Sequence, residues 1–332
     1  MVRESGPRSA KFAGLGYYLP ERVLTNFDFE KMVDTSDEWI VTRTGIRERH
    51  IAKEEEAASD LAINAARKAM ADARVEAKDI DLIVVGTATS DYPFPSTASI
   101  VQREIGARNA AAFDVAAACS GFIYSITIAQ SMIIAGKVRR ALVIGVETLS
   151  RITDYTDRTT CVLFGDGAGA VVLDPCESGE GILATCMKTD GSYTDLLYQP
   201  VGGSRTPLTE ERIRNREQFV KMKGDGLFKY AVKAMVGAAE TVLRDAGLKI
   251  SDIDFVIPHQ ANLRIIDGVR NRLGVSPEKV IVNIDRVGNT SSASIPIAFC
   301  EAKDKEIIKR DDLILMVAFG GGLTWGAALL KY

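Results

Sequence analysis

One stretch of this chain occurs twice. Residues 65–84 read AARKAMADARVEAKDIDLIV, and residues 238–257 read AAETVLRDAGLKISDIDFVI. An offset of 173 superposes Ala65 on Ala238, Ala66 on Ala239, Asp72 on Asp245 and Ala73 on Ala246, and carries Asp79-Ile80-Asp81 onto Asp252-Ile253-Asp254. Apolar positions follow the same offset: Met70 with Leu243, Val75 with Leu248, Ile83 with Val256. Each copy reads as a helix with apolar residues at helical spacing, a turn, and a short apolar strand of the kind covered on both faces of a sheet. The period is far too long for a stacked-repeat solenoid. It points to duplication of a whole α/β half, the alternative being chance similarity over one helix–strand unit.

Two further pairs fit duplication. Ala141–Val146 (ALVIGV) resembles Leu313–Ala318 (LILMVA), and GDGAGAVVL at 165–173 resembles GLTWGAALL near the C-terminus. The turn-rich run at 174–181 marks a boundary, giving halves 1–176 and 177–332. The fold class expected is α/β: two related halves about a pseudo-twofold axis, in layers of helix and sheet. Ligands in such sheets bind beyond the carboxyl ends of strands, here where the halves meet. Pro200–Gln218 is polar and charged and reads as an exposed excursion.

With 332 residues, 46% of them hydrophobic, the chain can bury a large core. A net charge of −3 gives no global basic excess, so nucleic acid is not an expected partner. The N-terminal MVRESGPRSAKFAG has no apolar run of a signal peptide, and no window is apolar enough to span a membrane. A soluble, cytoplasmic protein is expected. Five widely spaced cysteines without a CxxC argue against a disulfide framework or a zinc site. There are only two histidines, His50 and His259, so any mechanism with two catalytic imidazoles must use both.

Four places carry possible chemistry. In AAAFDVAAACSGFIYSITIAQSMIIAG a strand ends near Val115 and an almost wholly apolar helix runs from about Ser120 to Ala135. Cys119 stands at its N-terminus, where free N–H groups and the positive end of the dipole favour a thiolate; the alternative is a buried structural cysteine. His259 follows the strand Phe255–Ile257 directly, and its counterpart at the repeat offset, Gly86, also follows a strand. Aligning Phe113-Asp114 with Ile284-Asp285 puts Asn289 within a residue of the place Cys119 holds in the first half. Phe319-Gly-Gly-Gly322 follows a strand, and its N–H groups could help to bind an oxyanion; a plain tight turn is the alternative.

Two glycine runs imitate nucleotide fingerprints. Gly165–Gly169 leads into the strand-like AVVLD, and Gly14-Leu-Gly16 is soon followed by Pro20, so neither opens the helix the fingerprint requires. His50, in a charged stretch, reads as a surface residue. On the helix after His259, Arg264 and Arg272 share a side. They form either a solvated face or a dock for an acidic carrier protein.

Taken together, these residues resemble the β-ketoacyl-acyl carrier protein synthase III family, of the thiolase-like fold, layered α-β-α-β-α. The resemblance runs along nearly the whole chain, through residues 34–47 (DTSDEWIVTRTGIR), Ala117–Phe122, Phe164–Ala170, Pro258–Asn262, Gly288–Ser291 and Phe319–Gly322. Long-chain elongating ketosynthases differ, having a second histidine where Asn289 stands. The resemblance implies that Cys119 takes an acyl group from a short acyl-coenzyme A. His259 and Asn289 would then stabilise the enolate formed when malonyl-acyl carrier protein loses carbon dioxide. It implies an oxyanion hole from the N–H groups of Cys119 and Gly321. Trp39 and Arg158 would sandwich adenine, with Thr35, Arg43 and Asn262 as further coenzyme A contacts. Phe319 and Phe94 would wall the acyl pocket, Phe94 being lent by the partner of a homodimer and favouring short primers. Lys229, Arg264 and Arg272 would receive the carrier protein. No metal or redox cofactor is implied, coenzyme A entering as part of a substrate. Related enzymes of secondary metabolism, a catalytically silent subunit and a cysteine hydrolase are the competing readings.

Overall fold

The computed structural model describes residues 9–332; the first eight residues of the N-terminal run lie outside the described residues. A five-stranded sheet runs in the order Ser9–Tyr18, Asp166–Cys176, Ala141–Thr148, Leu82–Gly86, Ala111–Val115. A four-stranded sheet follows the order Gly181–Thr189, Thr324–Lys331, Leu313–Gly320, Phe255–Pro258. Strand for strand the two orders correspond, antiparallel at one side and parallel at the other. The fifth strand of the second sheet survives only as a single bridge, Val256 to Val280. Every strand of the first sheet precedes the turn at 177–180, and every strand of the second follows it.

Apolar residues are placed with period two along the central strands, and so feed two cores each. Leu82 and Val84 join Ile314 and Met316 in the space between the sheets, around the helices Gly121–Ile134 and Ser294–Asp304. Ile83 and Val85 face outward beneath the helix Ala58–Ala73. Leu315 and Val317 do the same beneath Gly224–Ala246 and Leu263–Leu273. The outcome is five layers, helix and sheet alternating. The Gly121–Ile134 helix is buried over its first three turns because its sequence is apolar on nearly every side.

Glycine in Gly14-Leu-Gly16 serves this layering. A Cβ on Gly16 would stand 2.4 Å from the Ala69 nitrogen of the covering helix, so the strand and helix touch backbone to backbone. The Gly165–Gly169 run likewise lies in a strand, not at a helix start.

Two details of the repeat need correction. The ladders pair Ile83 with Leu142 and Val256 with Leu315, so Ala141–Val146 corresponds to Ile314–Phe319, one residue beyond the match read from sequence. A one-residue slip would exchange the inward and outward faces, which is why the ladder and not the letter similarity decides. Nor is Asn289 the counterpart of Cys119. The turns Ala118–Ser120 and Ser291–Ala293 share an unusual left-handed first residue, φ 44° at Ala118 and 47° at Ser291, and each leads into a central helix. That places Ser292 opposite Cys119. The sequence alignment matched Phe113-Asp114, in a strand, to Ile284-Asp285, which form a short helix because the fifth strand of this half has been lost.

Candidate active site

The two central helices begin near the middle of the molecule, and the turns before them carry the candidate residues. Cys119 lies in the turn Ala118–Ser120, directly before the Gly121–Ile134 helix. The Ser120 hydroxyl donates to the Thr324 carbonyl at 3.1 Å, and Thr324 Oγ1 donates to the Ala117 carbonyl at 2.8 Å. The second half thus holds the first half's cysteine turn. Gly320 lies against it so closely that a Cβ there would sit 2.6 Å from the Cys119 nitrogen. Gly320→Ala should therefore displace the cysteine. A shift of order 1 Å costs about a hundredfold in rate, and we expect that loss in single-turnover acylation of Cys119, with the fold retained by circular dichroism.

His259 continues the strand Phe255–Pro258, its N–H donating to the Val317 carbonyl at 2.8 Å. Gln260 is wholly buried and clamps the end of this strand to the segment 281–283. Its Nε2 donates to the carbonyls of Pro258 and Ile281, and its Oε1 accepts from the Asn283 N–H. Asn289 is fixed by the first half: its N–H donates to the Leu163 carbonyl and its own carbonyl accepts from Gly165 N–H, at 2.9 and 3.0 Å.

Cys119, His259 and Asn289 line one cavity of about 380 Å³, together with Phe319 and Gly320. Its walls are Leu163, Phe164, Leu197, Met222 and Phe228, and Asn262 and exposed Arg264 also line it. The chain's other histidine is elsewhere, His50 Nδ1 meeting the Pro20 carbonyl at 2.6 Å.

The surroundings set the polarity of the site. Asn289 Oδ1 accepts from the Ser291 N–H at 2.9 Å, which leaves the Nδ2 donors free to act in the cavity. Burial alone holds the His259 imidazole down at about 3, so it is neutral at physiological pH. Burial also pushes the Cys119 thiol up to about 12. Burial therefore opposes the helix-terminus effect expected from sequence and favours the neutral thiol. Next to the cysteine turn's counterpart lies a second polar cluster. Buried Glu147 accepts from Thr89 Oγ1, Ala88 N–H, Ser291 Oγ and Ser292 Oγ at 2.7 to 3.1 Å. By ladder register Glu147 is the counterpart of Gly320.

The remaining candidates divide by position. Trp39 lies on the helix Asp37–Thr44, which Ser36 caps by accepting from the Trp39 N–H. The guanidinium carbons of Arg43 and Arg158 lie 5.0 and 5.2 Å from the Trp39 ring centre. Arg158 thus packs on the indole itself, and a purine between them requires the pair to part. The Thr35 hydroxyl is buried with no partner among the described residues. Asn262 caps the helix Leu263–Leu273 through Arg264 N–H and donates to the Arg43 carbonyl at 3.0 Å, tying that region to the cavity. Lys229, Arg264 and Arg272 are all exposed, on the paired helices Gly224–Ala246 and Leu263–Leu273. Gly321 is not among the residues lining the cavity, Gly320 taking that place. Phe94 is 85% exposed and is not in the cavity of its own chain. Sequence reasoning missed the apolar wall residues, the Gln260 clamp and the serine turn at 291–294. Small residues and lone walls carry no periodic signal; only their place next to the cysteine reveals them.

Comparison with known proteins agrees with the geometry. Residues 113–191 match the family model of 3-oxoacyl-[acyl-carrier-protein] synthase III, and residues 243–332 match the model of its C-terminal region. The β-ketoacyl-[acyl-carrier-protein] synthase III of Caldanaerobacter subterraneus subsp. tengcongensis is 53% identical over 98% of both chains. The crystal structure of 3-oxoacyl-[acyl-carrier-protein] synthase III from Aquifex aeolicus superposes with a TM-score of 0.90 at 51% identity, covering 97% of this chain and all of that one. The priming β-ketosynthase of the R1128 polyketide pathway superposes at 0.92 with 35% identity, covering 99% and 98%. The chain therefore belongs to the β-ketoacyl-acyl carrier protein synthase III family and is an acyltransferase, a condensing enzyme of fatty acid biosynthesis with the thiolase-like fold.

Proposed function

We propose that this chain joins a short acyl-coenzyme A to malonyl-acyl carrier protein, with Cys119 as nucleophile and His259 and Asn289 as enolate-stabilising donors. The observation that carries this reading is the convergence of a buried thiol, a neutral imidazole and an amide in one narrow cavity. In the first stage Sγ attacks the thioester carbon, the carbon–sulfur bond to coenzyme A breaks, and the thiol proton leaves on coenzyme A. The Cys119 N–H, with an N–H of the glycine run that enters the cavity at Gly320 and continues to Gly321, is assigned to the oxyanion. In the second stage the malonyl carboxylate departs as carbon dioxide, and its electron pair becomes an enolate whose oxygen accepts from His259 and Asn289. The enolate carbon attacks the acyl-cysteine, the cysteine sulfur leaves, and a proton from solvent restores the thiol. Decarboxylation drives the step, so no metal or redox cofactor is required. Both substrates are cytoplasmic, and by this reading so is the enzyme. The test is to incubate the protein with labelled acetyl-coenzyme A, locate the label by mass spectrometry, and then add malonyl-acyl carrier protein. Label on Cys119 followed by a 3-oxoacyl product supports the reading, whereas free acetate alone would make the protein a hydrolase.

The likeness to a polyketide priming ketosynthase supports a second reading, the same chemistry with another primer. Competition between acetyl- and longer acyl-coenzyme A decides, and a clear preference for long chains would refute the short-primer assignment.

Trp39, Arg43, Arg158, Thr35 and Asn262 are assigned to coenzyme A, the Asn262–Arg43 bond linking them to the cavity mouth. Lys229, Arg264 and Arg272 are assigned to the carrier protein. Reversing Arg264 and Lys229 to Glu should raise KM for malonyl-acyl carrier protein about tenfold or more and weaken its salt dependence. Acylation by acetyl-coenzyme A should change much less, and equal losses in both steps would contradict the assignment. A homodimer accounts for Phe94: so large an apolar side chain is 85% exposed on the single chain, and Ala111–Val115 is an edge strand. Sedimentation should give twice the chain mass, and Phe94→Asp should yield monomers or alter primer choice. An unchanged dimer with unchanged primer preference would remove Phe94 from this role.

A further inference from the structure

His259 acts in the proposed condensation only if the nitrogen facing the substrate carries a hydrogen. A neutral imidazole has one N–H and one bare nitrogen, and the partner of the buried nitrogen settles which is which. In this chain that partner is Ser294, the first residue of the second central helix, with Oγ 2.7 Å from His259 Nδ1. Both residues are buried, at 2% exposure each. The Gln260 N–H points at the same oxygen, at 3.3 Å. An N–H only donates, so Ser294 Oγ accepts from Gln260. Its own hydrogen then has one acceptor among the described residues, His259 Nδ1. The opposite arrangement, with Nδ1–H donating to the serine, would leave a buried hydroxyl hydrogen without an acceptor, at a cost of about 1–3 kcal/mol. His259 Nε2 has no protein partner among the described residues and belongs to a cavity-lining side chain.

We propose that Ser294 is a positioning residue, whose hydroxyl donates to His259 Nδ1 and so fixes the tautomer that presents Nε2–H to the substrate carbonyl. The inference rests on the condensing role assigned to His259. The serine turn then controls both donors: Ser291 N–H turns the Asn289 amide so that Nδ2 is free, and Ser294 turns the imidazole's hydrogen outward. The first half of the duplication has Gly121 where Ser294 stands, and no histidine to orient.

The chain offers an internal control. Its other imidazole, His50, meets a carbonyl oxygen through Nδ1, so its hydrogen sits on Nδ1. Long-range proton–nitrogen NMR on protein labelled with 15N-histidine should show two rings of opposite tautomer, with His50→Gln assigning them. Wild-type His259 protonated on Nδ1 would overturn the proposal without any kinetic measurement. In Ser294→Ala, the Nε2–H signature should be lost or mixed, and kcat for condensation should fall about tenfold to a hundredfold, by analogy with the loss when the partner holding the other nitrogen of a metal-bound histidine is removed. Single-turnover acylation of Cys119 should stay within about twofold, and Ser294→Thr should restore condensation. Full condensation activity in a folded Ser294→Ala would overturn the proposal. If instead His259→Ala itself condenses normally, the role given to His259 falls while the tautomer result stands. Should Ser294→Ala fail to fold, the wild-type spectrum decides.

Discussion

Cys119→Ser should take up no acyl group from acetyl-coenzyme A, and condensation should drop by at least about a thousandfold. Serine keeps the size and the hydrogen-bonding ability of cysteine, so the fold should survive. What disappears is the sulfur. The thiol is buried and pushed up to about 12, so little thiolate exists in the free protein. Alkylation by iodoacetamide should therefore keep rising with pH past the ordinary thiol range and show no early plateau. A plateau near neutrality would mean that the helix terminus prevails over burial after all. Intact-mass spectrometry checks the acylation, and any adduct on Cys119→Ser at the wild-type rate would remove this residue from the mechanism.

His259→Ala and Asn289→Ala should each lower condensation by about a hundredfold to a thousandfold, the usual cost of losing one preorganised donor, while Cys119 still acylates. The pH behaviour follows from burial. His259 sits at about 3 in the folded chain against an ordinary value near 6.5. Between those values the unfolded chain binds a proton that the native one does not. Native stability should fall as pH drops below about 6.5, by about 1 kcal/mol for each unit, and stop falling below about 3. Above 6.5 this residue contributes no pH dependence. Condensation should likewise show no histidine limb near 6.5, and His259→Ala should be less sensitive to acid than the wild type. A clear limb at that pH that vanishes in His259→Ala would show that the imidazole is charged and partly solvated.

Much of this was legible in the letters. The helix–strand unit at 65–84 and 238–257 is long, periodic and repeated, so it announced both halves. Cys119 and His259 stand directly after apolar strand runs, where α/β sheets put their chemistry. The register was not legible: ALVIGV and LILMVA look alike at the wrong offset, because any apolar run matches any other until hydrogen bonds choose. Asn289 was singled out by aligning the two halves, and the resemblance gave it a role, while its supposed equivalence to Cys119 failed because a lost strand shortened the path before the turn. Ser294 gave no signal, being one serine among several. Its meaning comes from a neighbour 35 residues away. The burial that opposes ionisation of the Cys119 thiol was not legible, because a helix terminus can be read from sequence and burial at that depth cannot.

Where Gly320 leaves room next to Cys119, the matching place in the other half holds Glu147, hydrogen-bonded to Ser292. A progenitor made of two identical chains would have owned two equal pockets, each borrowing a wall from its twin. In this chain the second of those places is filled by a carboxylate that ties the two halves together through Ser291 and Ser292. Neither fragment of a chain cut at the 177–180 turn could then work by itself, and mixing the pieces should revive activity only as fast as they reassemble.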